Sequence, residues 1–139
     1  MTNEKINNIL TTDVVSVHVK QKLSDVNEIF RVNMIHHIPV LDGKYPIGII
    51  STKDILKLIF NIDTQDERMI DAIMDHNFTI DQVMTKDLIT LPVSSTIKEA
   101  AKVLRFSTIH SIIVTNKKGE MEGIVTSTDL IQHLYDNLD

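Results

Sequence analysis

The sequence predicts an α/β fold in which one small subdomain occurs twice. Three observations support this fold class: an internal repeat, the same order of strand-like and helix-like segments in both halves, and a globular composition. Of the 139 residues, 42% are hydrophobic and 24% are charged, which is too apolar for a disordered chain. We therefore expect two small β-sheets, each with flanking helices.

A shift of 74 positions aligns the two halves of the sequence. Ile6-Asn-Asn-Ile-Leu-Thr-Thr-Asp13 then matches Ile80-Asp-Gln-Val-Met-Thr-Lys-Asp87, and Ile35-His36-His37-Ile38 matches Ile109-His110-Ser111-Ile112. Because this period is too long for a solenoid unit, it indicates a duplicated subdomain.

One inserted residue changes the shift to 75 in the last part of each half. There Gly48-Ile-Ile-Ser-Thr-Lys-Asp54 matches Gly123-Ile-Val-Thr-Ser-Thr-Asp129. We therefore predict a first repeat at 1–60, a connector at 61–79 and a second repeat at 80–139.

Each repeat is predicted to begin with a short apolar turn, a β-branched strand and a helix. The turns are expected at 6–10 and 80–84, and the strands at 14–17 and 88–91. Apolar residues at helical spacing then predict the helices: Leu23, Val26, Ile29, Phe30 and Met34 in the first repeat, and Ile97, Ala100, Ala101, Val103 and Leu104 in the second.

Two strands and a closing helix complete each repeat. The strands are predicted at 38–41 and 47–50 and at 112–114 and 123–125, with turn residues between them. Ser51 and Thr126 are suitable N-caps for closing helices at 54–60 and 129–138. In the connector, four apolar residues predict one stripe on a short helix: Met69, Ile70, Ile73 and Met74.

These segments resemble the CBS domain, present twice as a tandem pair (a Bateman module). The resemblance spans nearly the whole chain and depends on the Gly-Ile-Ile-Ser-Thr-Lys-Asp and Gly-Ile-Val-Thr-Ser-Thr-Asp elements, together with Ile35-His36-His37-Ile38-Pro39-Val40. It implies a stand-alone regulatory pair whose halves pack about a pseudo-twofold axis. It also implies an adenine nucleotide or adenosyl ligand in the cleft between the repeats.

The shared elements carry side chains suited to such a ligand. A carboxylate can accept hydrogen bonds from both ribose hydroxyls, which makes Asp54 and Asp129 the candidate ribose residues. A helix start with free N–H groups and hydroxyls suits phosphate. The phosphate candidates are therefore Ser51, Thr52, Thr126 and Ser127, to which the resemblance adds His36, His37 and His110.

The resemblance further implies that adenine is held by backbone groups of the first strand of each repeat, at Ser16 and Val17 or at Thr90 and Leu91. The cleft would be lined by Ile38, Pro39, Ile112, Gly48 and Gly123, the two glycines allowing close approach because they lack Cβ.

Two alternatives remain open for these residues. A Ser or Thr followed three residues later by Asp is also an ordinary helix cap, so the module could be a ligand-free dimerisation or protein-interaction unit. The second repeat has Ser111 where the first has His37, and Ile113 where the first has Pro39, so one cleft or both could be occupied.

The composition excludes or disfavours several other classes. There is no cysteine and no plausible nucleophile–base set or metal cluster, so neither an enzyme nor a resident cofactor or metal is predicted. A net charge of −5 without a basic block disfavours nucleic-acid binding, and no apolar run or leader indicates a membrane or secreted protein. We expect a cytoplasmic homodimer that binds AMP, ADP or ATP, with NAD or S-adenosylmethionine as further alternatives, and that signals to an unidentified effector protein.

Overall fold

The computed structural model describes residues 4–106 and 108–139 of the chain. They form two compact units that are discontinuous in sequence. Unit I comprises residues 15–43 and 47–87, and unit II comprises residues 4–14, 44–46 and 88–139. Each unit is built around one three-stranded sheet, as the repeat predicts.

Unit I contains a mixed sheet in the order β1-β2-β3, with β1 parallel to β2. The strands are β1 (Val17–His18), β2 (His37–Asp42) and β3 (Tyr45–Ser51), and the first two residues of β3 are grouped with unit II. The helices are α1 (Leu23–Val32), α2 (Thr52–Phe60), α3 (Glu67–Asn77) and α4 (Ile80–Val83).

Unit II repeats this arrangement with the order β4-β5-β6, in which β4 is parallel and β6 antiparallel to β5. Its strands are β4 (Thr90–Pro92), β5 (Ser111–Thr115) and β6 (Met121–Thr126). Its helices are α5 (Ile97–Leu104) and α6 (Ser127–Asp136), and a 3-10 turn (Ile6–Asn8) precedes them in the chain. The predicted duplication of an α/β subdomain is therefore confirmed.

The first turn of each sequence repeat packs in the unit that holds the rest of the other repeat. Thr11 exchanges two backbone hydrogen bonds with Ile124 of β6, at 3.0 and 2.9 Å, within unit II. Thr85 does the same with Ile49 of β3, at 2.8 and 2.9 Å, within unit I. The side chain of Ile6 is fully buried in unit II, so burial of apolar surface reinforces the backbone pairing.

In each unit the apolar core is formed by side chains of the strands and helices that the sequence periodicity predicts. In unit I the core includes Leu23, Val26, Ile38, Val40, Ile50, Ile55 and Ile80. In unit II it includes Ile6, Ala100, Leu104, Ile112, Val114 and Val125. The connector forms α3 as predicted, with Ile70 and Met74 buried in unit I but Met69 about half exposed (53%).

Three local expectations were wrong. The first strand of each repeat begins later than predicted, at Val17 and Thr90, because it extends only where it can pair with the neighbouring strand. Met34 does not continue the apolar stripe of α1. The helix ends at Val32, Asn33 adopts an extended conformation, and the Asn33 side chain donates to the Ile29 carbonyl at 2.9 Å. Met34 is consequently fully exposed.

Candidate functional site

The start of α2 is a closed capping box built from Ser51 and Asp54. The Ser51 Oγ accepts a hydrogen bond from the Asp54 amide at 3.2 Å. The Asp54 Oδ2 accepts from the Ser51 amide at 2.8 Å and from the Ser51 hydroxyl at 3.0 Å. The N-cap predicted at Ser51 is thus confirmed. A carboxylate has about four acceptor positions, so Asp54 keeps capacity for further donors.

The start of α6 reproduces this box and adds one contact. The Thr126 Oγ1 accepts from the Asp129 amide at 3.1 Å, and the Asp129 Oδ2 accepts from the Thr126 amide at 2.9 Å. In addition, the Thr11 hydroxyl lies 3.3 and 3.4 Å from the two Asp129 carboxylate oxygens. Thr11 is a site residue that sequence reasoning missed, because the bond joins residues 118 positions apart.

The histidine segments lie directly beside these helix starts. The His36 carbonyl accepts from the Thr52 amide at 3.0 Å, and the equivalent His110 carbonyl accepts from the Ser127 amide at 3.1 Å. The structure therefore places the backbone of His36 and of His110 against the start of a closing helix in each unit. The first amides of both helices are already used by the protein, which leaves less of each helix start for an anion than the sequence suggested.

The two cleft glycines are required by the protein itself. A Cβ on Gly48 would collide with the Met84 side chain, and a Cβ on Gly123 would collide with the Thr11 carbonyl oxygen. Met84 and Thr11 belong to the first turns of the repeats, each of which packs in the unit that holds the rest of the other repeat. Another group does approach each glycine closely, as predicted, and in this structure that group belongs to the protein itself.

The other residues predicted to line the cleft are largely internal. Ile38, Pro39 and Ile112 are buried, and the side chains of Ile38 and Ile112 are part of the cores of their units. Both isoleucines are fully buried, side chain and backbone alike, so neither exposes surface to a ligand in this structure.

Of the predicted adenine residues, Val17 lies on the edge strand β1, and Thr90 and Leu91 lie on the edge strand β4, whereas Ser16 precedes β1 and is half-buried. Val17 is buried and pairs with Val40, whereas Thr90 is exposed and Leu91 half-buried. Leu91 lines a surface pocket of about 440 Å³ beside α5. The pocket combines apolar and charged side chains: Leu91, Val103, Phe106 and Ile109 with Glu99, Lys102 and Arg105. The Arg105 guanidinium lies over the Phe106 ring, 4.8 Å from its centroid.

Two other histidines, His133 and His18, lie close to carboxylates. The His133 Nε2 lies 3.0 Å from the Glu4 carboxylate, and the His18 Nε2 lies 3.8 Å from that of Asp42. Across residues 4–106 and 108–139, no group of three or more His, Asp or Glu side chains is arranged to hold a metal ion. In the same part of the chain, no helix is long and apolar enough to cross a bilayer.

Comparison with known proteins gives a consistent result. A family model described as CBS domain matches residues 6–61 and again residues 80–136. The uncharacterized protein MJ1426 of Methanocaldococcus jannaschii is 32% identical over 142 residues, covering 85% of this chain and 84% of that protein. Three other relatives from the same organism are longer, and the chain spans 39%, 33% and 47% of their lengths.

Solved structures share the fold. CBSX2 in complex with AMP has a TM-score of 0.78 at 18% identity, covering 96% of this chain and 97% of that one. The CBS domain pair of protein MJ0100, in complex with 5′-methylthioadenosine and S-adenosyl-L-methionine, has a TM-score of 0.70 at 24% identity, covering 94% and 98%. At these identities the likeness establishes the fold alone.

Proposed function

Because this chain belongs to the CBS-domain family and contains two copies of the domain, we propose that it is a regulatory module that binds an adenine nucleotide or another adenosyl ligand and catalyses no reaction. The observation that supports this most strongly is the duplicated helix start. Ser51 with Asp54 and Thr126 with Asp129 occur at equivalent positions, each beside a histidine backbone.

The ligands of the structural neighbours agree with recognition of the nucleoside. AMP, 5′-methylthioadenosine and S-adenosylmethionine share adenine and ribose but carry 5′ substituents of different charge. Recognition of the shared part requires an acceptor for the ribose hydroxyls. In this chain we assign that role to the unused acceptor positions of Asp54 and Asp129.

The surroundings of the two carboxylates favour different ligand charges. In unit I the adjacent segment carries His36 and His37, whose imidazole N–H groups are potential hydrogen-bond donors to a phosphate. In unit II Ser111 replaces the second histidine, and Thr11 already bonds to Asp129. We therefore propose that unit I accepts AMP, ADP or ATP, and that unit II binds phosphorylated ligands less tightly. NAD and S-adenosylmethionine remain further candidates.

The surface pocket beside β4 is a candidate binding position for adenine in unit II. Leu91, Val103 and Ile109 provide apolar contacts for a purine ring, and the exposed strand edge at Thr90 offers backbone donors and acceptors. This position fits the adenine assignment at Thr90 and Leu91.

A panel of AMP, ADP, ATP, NAD, S-adenosylmethionine, 5′-methylthioadenosine and phosphate in a thermal-shift assay tests the proposal. A ligand present at 100 times its Kd stabilises the folded state by ~2.7 kcal/mol, which raises Tm by several degrees. A variant carrying both Asp54→Ala and Asp129→Ala is the control and should show a clearly smaller shift, because a Kd raised about 10- to 150-fold leaves the same ligand concentration at roughly 0.7 to 10 times Kd. If the wild type responds to no member of the panel, the ligand-binding function is wrong.

The closing helices favour a second role, homodimerisation. Five apolar side chains on α2 and α6 remain more than half exposed: Leu56 (61%), Phe60 (88%), Ile131 (65%), Leu134 (58%) and Tyr135 (73%). Exposed apolar helix faces of this kind are typical of isologous interfaces. Light scattering should give the mass of a dimer for the wild type and of a monomer for Phe60→Asp with Tyr135→Asp. A monomeric wild type at micromolar concentration would exclude this role. We further propose that the dimer resides in the cytoplasm and signals to an effector protein.

A further inference from the structure

Residues 4–11, which we call the strap, begin in unit II beside both of its helices. The Ile97 amide at the start of α5 donates to the Glu4 carbonyl at 2.7 Å. The Lys5 ammonium donates to a carbonyl of the loop before α5 at 3.0 Å. The Glu4 carboxylate lies 3.0 Å from the Nε2 of His133 on α6. Glu4 and Lys5 therefore anchor the strap to α5 and α6 together.

The other end of the strap is fixed against β6, next to the proposed ribose carboxylate. Thr11 exchanges two backbone hydrogen bonds with Ile124, and its carbonyl oxygen lies so close to Gly123 that a Cβ there would collide with it. The Thr11 hydroxyl is thereby placed 3.3 and 3.4 Å from the two oxygens of Asp129. This contact uses acceptor capacity that the two hydroxyls of a ribose would require.

The equivalent segment of unit I leaves its carboxylate open. Thr85 corresponds to Thr11 at the shift of 74 and has the same backbone pairing, with β3. In unit I, however, the group that packs against the strand glycine is the Met84 side chain and not threonine backbone. Within the described part of the chain, the Asp54 carboxylate accepts hydrogen bonds only from its own capping residue. Only the carboxylate of unit II is therefore partly occupied by a threonine.

Docking of the strap leaves one polar group of unit II unsatisfied. The Ile6 amide donates to the Ser95 carbonyl at 3.0 Å, and the Ile6 side chain is fully buried. The Ser95 hydroxyl is also buried, and among residues 4–106 and 108–139 it has no hydrogen-bond partner. A buried hydroxyl without a partner carries a desolvation cost. That cost opposes docking of the strap, and release of the strap would remove it.

We propose that the strap is an autoinhibitory element of unit II, which holds Thr11 on Asp129 so that unit I fills with ligand before unit II. This inference rests on the proposed ribose role of Asp129. Coupling between two binding events is reciprocal, so ligand at Asp129 loosens the strap, and weakening the anchor at Glu4 and Lys5 raises affinity at Asp129 by no more than the Thr11 bond contributes. For a single hydrogen bond that limit is about fivefold.

Amide hydrogen exchange of the unliganded protein tests the strap without any ligand. The amides of Ile6 and Ile124 are suitable reporters, because both donate hydrogen bonds between the strap and the rest of unit II. Thr11→Val should speed their exchange by up to about fivefold relative to the amides of β5. Thr85→Val, the matched change in unit I, should leave exchange of the Ile49 amide unchanged. Unchanged exchange in Thr11→Val, or an equal effect of Thr85→Val in unit I, would overturn the proposal.

Calorimetry with 5′-methylthioadenosine tests the inhibition itself. This probe carries no phosphate, so charge changes near the site have little direct effect on its affinity. In an Asp54→Ala background, which keeps Asp129 as the ribose site, Glu4→Ala with Lys5→Ala should raise affinity by about two- to fivefold. Addition of Thr11→Val should give no further gain, because the anchor acts through Thr11.

A charge-matched variant of unit I provides the control for the anchor. Lys20→Ala with Asp42→Ala removes one cation and one carboxylate, the latter lying 3.8 Å from a histidine as in the strap anchor, and should leave the affinity unchanged. An equal gain in this control, no gain in the anchor variant, or full additivity with Thr11→Val would overturn the strap proposal alone. Absence of binding by every variant and by the wild type would refute the ligand-binding function and the inhibitory role together.

Discussion

The ribose assignment of Asp54 can be separated from its role as a helix cap. In Asp54→Ala the carboxylate that accepts two hydrogen bonds from Ser51, at 2.8 and 3.0 Å, is lost. The lost capping bond and helix-dipole interaction together cost roughly 1–2 kcal/mol of unfolding free energy. For a chain of this size that lowers Tm by roughly 3–10 °C. Loss of a charge-assisted bond to ribose costs a further ~1.5–3 kcal/mol of binding free energy, which is about 10- to 150-fold in Kd.

Two control variants make the comparison decisive. Asp25 has the same capping position in α1, where its carboxylate accepts from the Lys22 amide at 3.0 Å. Asp25→Ala should therefore lower Tm to a similar extent and leave ligand affinity unchanged. Asp54→Asn keeps an amide oxygen for the Ser51 N–H, so it should retain most of the stability and still lose affinity.

Calorimetric titration measures the Kd of each variant for the ligand that gives the largest shift in the thermal-shift panel. A thermal melt of each variant measures its Tm. If Asp54→Ala and the corresponding Asp129→Ala bind that ligand with wild-type affinity, the ribose assignment is refuted. Both elements would then be caps alone.

Three further predictions concern the surroundings of the site. Thr11→Val should raise affinity at the Asp129 site by up to about fivefold in calorimetry, because a competing hydrogen bond of ~1 kcal/mol is removed; weaker binding would make Thr11 a ligand contact. Gly123→Ala should lower the urea midpoint of unfolding more than Gly48→Ala does. A Cβ at position 123 would collide with backbone, whereas a Cβ at position 48 would collide with a flexible methionine side chain. Equal decreases in the midpoint would contradict this reasoning. AMP affinity in calorimetry should be lower for His37→Ala than for the wild type, because an imidazole N–H can donate a hydrogen bond to phosphate. Equal affinities would remove His37 from the phosphate site.

The relation between sequence and fold is clearest at the closing helices. Ser51 and Thr126 were predictable as N-caps because the capping box is a local motif, in which all the hydrogen bonds join residues three positions apart. The hairpin strands β2 and β3, and β5 and β6, were predictable for a similar reason, since turn residues and apolar runs specify them locally. Strand β1 was misplaced because its extent depends on pairing with β2, in which Val17 pairs with Val40 and His18 with Leu41, far along the chain.

The sequence by itself determined the duplication, the order of elements in each half and the residue types at both helix starts. These features follow from periodicity and local hydrogen bonding, which a linear chain displays directly. The tertiary structure alone decided that the first turns exchange units, that Thr11 bonds to Asp129, and that α3 covers α1. Those outcomes depend on which distant surfaces bury apolar area and pair charges best, and that competition between partners far apart in the chain leaves no local signal.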